Sequence, residues 1–158
     1  MFDGLSSMIA NRAVMLFAKC KNNPELLKYG IVGLLPEEGL RTMPVQMAYY
    51  SRLLATQLKA TDGQLAYIKQ HVRAMYKAAG MYVPNDSECV TPITWTLDSK
   101  HLKGMAFDIA ATKDGTNKWW PSNKDIHLII GKLGEECGLT WGGRWESLGK
   151  YDPWHFEV

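Results

Sequence analysis

Cysteine is scarce and scattered in this chain. Cys20, Cys89 and Cys137 stand far apart, and no two make the CxxC pair that a zinc ribbon or a thioredoxin-like site needs. An odd, dispersed set argues against a dedicated disulfide framework while leaving room for one bridge, predicts buried or free thiols, and favours synthesis in the cytoplasm. Long apolar runs are missing as well. The longest is Ala13–Ala18, far short of the roughly 20 residues that span a bilayer, so no stable membrane insertion is expected. The start carries Asp3 near its tip and breaks its apolar character at Asn11-Arg12, which is not the charged-then-apolar order of a signal peptide. No basic block exists either: 18 Lys and Arg against 16 Asp and Glu leave a net charge of +2, and nucleic acid is not an expected partner. Internal repeats and linkers rich in Pro, Gly or Ser are absent, so the 158 residues read as one domain, 1–158.

What is present is globular: 46% hydrophobic and 22% charged residues, enough to build a core. Ser6 or Ser7 can cap a first helix through about Lys19, with Ile9, Ala13, Leu16 and Phe17 on one side. Asn23-Pro24-Glu25 predicts a short capped helix closed by Gly30. A loop is expected through Pro36 and Gly39, followed by a helix over about Pro44–Lys59. Thr61-Asp62-Gly63-Gln64 matches a capping box, and Leu65, Ile68, Val72 and Met75 follow as one stripe that leaves His71 on the surface. After Asn85-Asp86 the character changes. Val90–Leu97 and Gly104–Ala110 read as strands, Ser122 caps a helix ended by Gly138, and Leu139–Trp141 and Trp154–Val158 are the last strand candidates. Helices first and strands later give an α+β fold: a helical N-terminal part, 1–37, packed on a small, mostly antiparallel sheet.

Three places carry chemistry. His101 and Asp108 form an H-x6-D pair, Asp152 and His155 close the chain, and Arg41 lies in Glu38-Gly39-Leu40-Arg41-Thr42. Zinc ligand atoms sit about 2.0–2.2 Å from the ion. A straight strand would aim His101 and Asp108 at opposite faces across roughly 23 Å, at ~3.3 Å per residue. A helix would leave them about 10 Å apart along its axis. The pair works only if the chain bends, and Gly104 is the residue best suited to the bend. Two histidines and an aspartate leave a fourth tetrahedral position for water, the pattern of a catalytic zinc site. Asp152, three residues before His155, is placed to relay protons. Glu157 can support a ligand instead, and Arg41 can supply fixed positive charge to a carboxylate or an oxyanion. Each piece has a plain alternative: His101 or His155 as a hydrogen-bonded structural histidine, Arg41 as an ordinary ion-pairing or capping residue. His127 is a fourth candidate ligand without a metal pattern around it.

The run Ser99–Asp108 resembles the Ser-x-His-x-x-Gly-x-Ala-x-Asp signature of the zinc D,D-carboxypeptidase and L-alanyl-D-glutamate endopeptidase family, the VanY-like peptidases with their bacteriophage endolysin branch. Trp141-Gly142-Gly143-Arg144-Trp145, then Asp152-x-x-His155-Phe156-Glu157, is similar to its Trp-Gly-Gly and terminal Asp-x-x-His-Phe blocks. Gly39-Leu40-Arg41-Thr42 with Gln46 and Tyr50 is similar to its Gly-x-Arg-Thr, Gln and Tyr block. The resemblance implies zinc on His101, Asp108 and His155, Asp152 as general base and acid, Arg41 as substrate or transition-state contact, and Ser99 and Gln46 as substrate-binding residues. The carboxypeptidase branch generally has Glu where this chain has Asp152, which favours the endopeptidase branch. About forty further residues, Ser51–Val90, look like a helical insertion. The expected function is then a monomeric phage-type endolysin that hydrolyses the L-alanyl-D-glutamate bond of the peptidoglycan stem peptide, made in the host cytoplasm and acting at the cell wall. The alternatives are a D,D-carboxypeptidase trimming terminal D-alanine and a zinc-stabilised, non-catalytic wall-binding module. Cobalt or manganese can occupy the same ligands.

Overall fold

The computed structural model describes residues 3–158. In chain order they form α1 (Ser7–Cys20), α2 (Pro24–Leu27), β1 (Gly33–Glu38), α3 (Met43–Ser51), α4 (Leu54–Gln57), α5 (Asp62–Ala78), β2 (Ala106–Thr112), α6 (Lys124–Glu136), β3 (Thr140–Trp141) and β4 (His155–Glu157). The class is α+β, and every strand pair is antiparallel, in the order β1-β2-β4-β3. Among the described residues no helix is long and apolar enough to cross a membrane. The chain divides into two compact units: the residues through Leu40 together with Lys103–Val158, and Arg41–Leu102.

The first unit holds the sheet. Alternation along a strand sends successive side chains to opposite faces. Phe107, Ile109 and Ala111 of β2 therefore join Phe156 of β4 and Trp141 of β3 in a core with Ile9, Ala13 and Leu16 of α1 and Ile126 and Ile130 of α6. Phe107 and Phe156 stack at 5.8 Å, and each fully buried ring contributes about 1.5–3 kcal/mol by apolar burial. Helix α6 comes so close to the sheet that a Cβ on Gly134 would meet the Phe156 ring at 2.2 Å. The other face of β2 carries Ala106, Asp108 and Ala110, so the period of two that builds the core also sets the aspartate apart from it.

Strand β1 lies where a loop was expected. Its proline is tolerated because β1 is an edge strand paired only with β2, where a missing N–H costs no ladder bond on the open side. The register shifts between Pro36 and Glu38, a bulge that leaves Glu38 opposite Asp108.

The second unit packs Ala48 of α3 against Ile68, Val72 and Tyr76 of α5, with Cys89. The capping box at Thr61 and Gln64 is present and starts α5. Two expectations fail here. The helix over 44–59 is broken after Ser51, whose hydroxyl donates to the Ala48 carbonyl at 2.6 Å and so competes with the helical ladder. Residues 90–97 form no strand. Their polar groups bond to side chains instead: Arg52 Nε donates to the Thr91 carbonyl, and Gln46 Nε2 donates to the Thr96 carbonyl. Pro92 also lacks a donor for any ladder.

Candidate metal centre

Asp108 and His155 meet because of strand register. They are direct partners across β2 and β4, so their side chains leave the same face of the sheet as neighbours. His155 Nδ1 lies 2.9 Å from Asp108 Oδ1, and its Nε2 lies 3.2 Å from Glu157 Oε2. Glu157 reaches it because residues two apart on a strand share a face. Burial works against charge on His155, yet the hydrogen bonds to Asp108 and Glu157, with the nearby charges of Asp108 and Asp152, outweigh it and push its pKa up to about 9. The pull comes from a cluster of carboxylates, the surroundings a cation would find favourable.

His101 stands in a 3-10 helix, Lys100–Lys103, and is buried. Its N–H donates to Ser99 Oγ at 3.3 Å, and its carbonyl accepts the Arg41 N–H at 3.1 Å. After it the chain turns at Gly104, with φ +62°, and a Cβ there would lie 2.4 Å from the Gly4 carbonyl oxygen. This is the bend that neither a straight strand nor a helix supplies. One ligand atom each of His101, Asp108 and His155 all lie within 4.8 Å of one another, and no other such group of three exists among the described residues. Two imidazole nitrogens and one carboxylate oxygen suit zinc, and three protein ligands leave a coordination position open. Glu157, on the far nitrogen of His155, stands where an outer partner would fix the ring and tautomer of a metal-bound histidine.

Asp152 is exposed, on the turn before β4. Its N–H donates to the Gly142 carbonyl at 3.2 Å, and its own carbonyl accepts from His155 N–H at 3.4 Å. Ser99 and Arg41 are buried, and Gln46 is fully buried. His127 is also buried, but its Nδ1 lies 2.8 Å from Tyr151 Oη and its Nε2 lies 2.6 Å from the Pro121 carbonyl, so both nitrogens are engaged as in a structural histidine. His71 is exposed. The three cysteines are free and buried.

Sequence reasoning missed the physical role of the Trp-Gly-Gly block. A Cβ on Gly142 would lie 2.5 Å from the Asp152 carbonyl oxygen and 3.2 Å from His155 Cβ, so only glycine lets this chain pass against the turn. Trp141 Nε1 donates to the Pro153 carbonyl at 2.9 Å, and the Trp145 ring lies 5.2 Å from that of His155. The block is a mould for the Asp152–His155 turn. Adjacent glycines flanked by tryptophans were the available signal.

Residues 93–158 match the family model described as D-alanyl-D-alanine carboxypeptidase. Through this segment the chain is similar to that peptidase family. The matched part holds Ser99, His101, Asp108, Asp152 and His155, while Arg41 and Gln46 lie before it. That similarity and the His-Asp-His donor set together support a zinc metallopeptidase. Solved structures similar to the chain include the L-Ala D-Glu endopeptidase ChiX of Serratia marcescens, at 23% identity and TM-score 0.49, covering 98% of this chain and 80% of that one. VanYB in complex with D-Alanine-D-Alanine is 18% identical, TM-score 0.47, covering 98% and 71%. A mutant of the vancomycin resistance D,D-pentapeptidase VanY in complex with Zn(II) is 16% identical, TM-score 0.47, covering 98% and 72%. No curated protein matches the chain.

Proposed function

We propose that this zinc peptidoglycan peptidase hydrolyses the L-alanyl-D-glutamate bond of the stem peptide, with the metal on His101, Asp108 and His155. The observation that carries the proposal is the convergence of those three donor atoms within 4.8 Å. When bound, zinc supplies Lewis acidity and a water acidic enough to ionise near neutral pH. Asp152 takes the proton of the attacking water and hands it to the leaving amine. Its exposed position on the turn that delivers His155 supports this role, and its negative charge acts on His155. Arg41, fixed through its own N–H to the His101 carbonyl, presents a permanent positive charge to a substrate carboxylate. Ser99 offers a hydroxyl beside His101.

The aspartate at position 152, where the carboxypeptidase branch generally has a longer glutamate, supports the endopeptidase reading. Under that reading the chain is a phage-type endolysin, made in the host cytoplasm and acting as a monomer on the wall. Purified muropeptides decide the bond: release of L-alanine-terminated fragments, identified by mass, is the expected result, and free D-alanine would assign carboxypeptidase activity instead. Asp152→Asn is expected to retain zinc and lose roughly 10²- to 10⁴-fold in turnover, the usual weight of a general acid-base. Unchanged turnover would remove Asp152 from the mechanism, and zinc binding without any turnover in the unmutated protein would leave only a wall-binding module.

A further inference from the structure

Gln46, on α3, is completely buried, and its carboxamide has three partners. Arg41 Nη1 donates to Oε1 at 2.7 Å. Nε2 donates to the Thr96 carbonyl at 2.5 Å and to Thr94 Oγ1 at 3.2 Å. Chemistry fixes which way the amide points: a guanidinium only donates and a backbone carbonyl only accepts, so a flipped amide would set donor against donor and acceptor against acceptor. The oxygen and both hydrogens of the amide are therefore committed inside the protein. A side chain in that state is built to hold its neighbours.

Those neighbours matter. Arg41 is held by, among other contacts, the Gln46 oxygen on its guanidinium, the Tyr49 ring with its centroid 4.8 Å from Cζ, and the His101 carbonyl on its main-chain N–H. Thr94 and Thr96 belong to the irregular segment that runs on to Ser99. We propose that Gln46 is a positioning residue for specificity: it orients the Arg41 guanidinium, and the backbone leading to Ser99, so that Arg41 discriminates substrates carrying a carboxylate beside the scissile bond. This rests on the reading of Arg41 as the carboxylate contact. A glutamate could not replace Gln46, because its second oxygen would face the Thr96 carbonyl with no proton between them.

The test uses the zinc-loaded full chain and two probes, a stem peptide with the free α-carboxylate of D-glutamate and the same peptide with that carboxylate amidated. The readout is the ratio of their kcat/KM values. The unmutated enzyme is expected to prefer the free carboxylate, and Arg41→Ala to lose that preference. Gln46→Met, which keeps length and bulk without the hydrogen bonds, is expected to lower the preference roughly 10- to 100-fold, the scale of a charge-assisted hydrogen bond, mainly through KM and with unchanged zinc content. Gln46→Asn, which keeps the amide but cannot span all three partners, is read in the same way should the first variant fail to fold. If Arg41→Ala keeps the preference, the reading of Arg41 has failed and takes the proposal with it. If Arg41→Ala loses the preference while the Gln46 variants lose activity equally on both probes, or not at all, Gln46 has only a structural role and the proposal alone is overturned.

Discussion

His155 sits between two carboxylates, and that arrangement sets the pH behaviour of the metal-free protein. Its folded pKa, about 9, lies above the ordinary histidine value of about 6.5 in an unfolded chain. A raised pKa means the folded state holds the proton more tightly, so its stabilisation is complete below about pH 6.5 and is lost as pH climbs through about 9. Urea midpoints of chelator-treated protein are therefore expected to fall between pH 6 and pH 9.5, and a rise would contradict the assignment. A metal must displace the same proton, so zinc affinity is expected to weaken as pH falls from 8 to 6. Glu157 contributes from the other side of the ring. Replacing it by glutamine keeps the shape but removes the charge, and is expected to weaken zinc binding roughly 10- to 100-fold, the usual effect of losing an outer partner. Competition titration against a chromogenic chelator measures this, and equal affinity would show that Glu157 takes no part.

At the scale of elements, the register of β2 and β4 and one glycine turn assemble the site. Gly104 is needed twice, for its φ of +62° and for the space beside the Gly4 carbonyl. Gly104→Ala is expected to destabilise the fold by about 1–3 kcal/mol and to reduce zinc content, checked by denaturant unfolding and metal analysis; an unperturbed variant would show that the bend tolerates a side chain. This need was legible in the sequence, because a spacing of seven residues fits neither regular element. The helices were legible wherever a cap and a stripe coincided, as in α5 with its box at Thr61 and its buried Ile68 and Val72. Strand β1 was not, because Pro36 reads as a breaker until its edge position is known. Residues 90–97 misled in the opposite direction. Their β-branched composition suggests a strand, but buried side chains from elsewhere in the sequence, Gln46 and Arg52, take up the backbone groups that a ladder would use. Such long-range competition leaves no trace in local pattern. The role of the Trp-Gly-Gly block was hidden for a related reason, since the clearance at Gly142 is set by residues ten and thirteen positions further on.

For the whole molecule, the candidate site residues fall in both compact units. The sheet unit holds Asp108, Asp152, His155 and Glu157 on strands and a turn, over a core that includes α1 and α6. The helical unit holds Arg41, Gln46, Ser99 and His101. Sequence motifs pick out these side chains because their chemistry is local, while the partners that orient them come from distant segments and emerge only with the fold. The account stands or falls on one divalent ion shared by His101, Asp108 and His155. Metal analysis of purified protein after exhaustive dialysis tests it most directly, with His101→Ala, Asp108→Ala and His155→Ala run beside His127→Ala. The expected result is one zinc per chain, lost from each of the first three variants and kept by the fourth. Zinc absent from the unmutated protein, or retained in full by all three ligand variants, would contradict it.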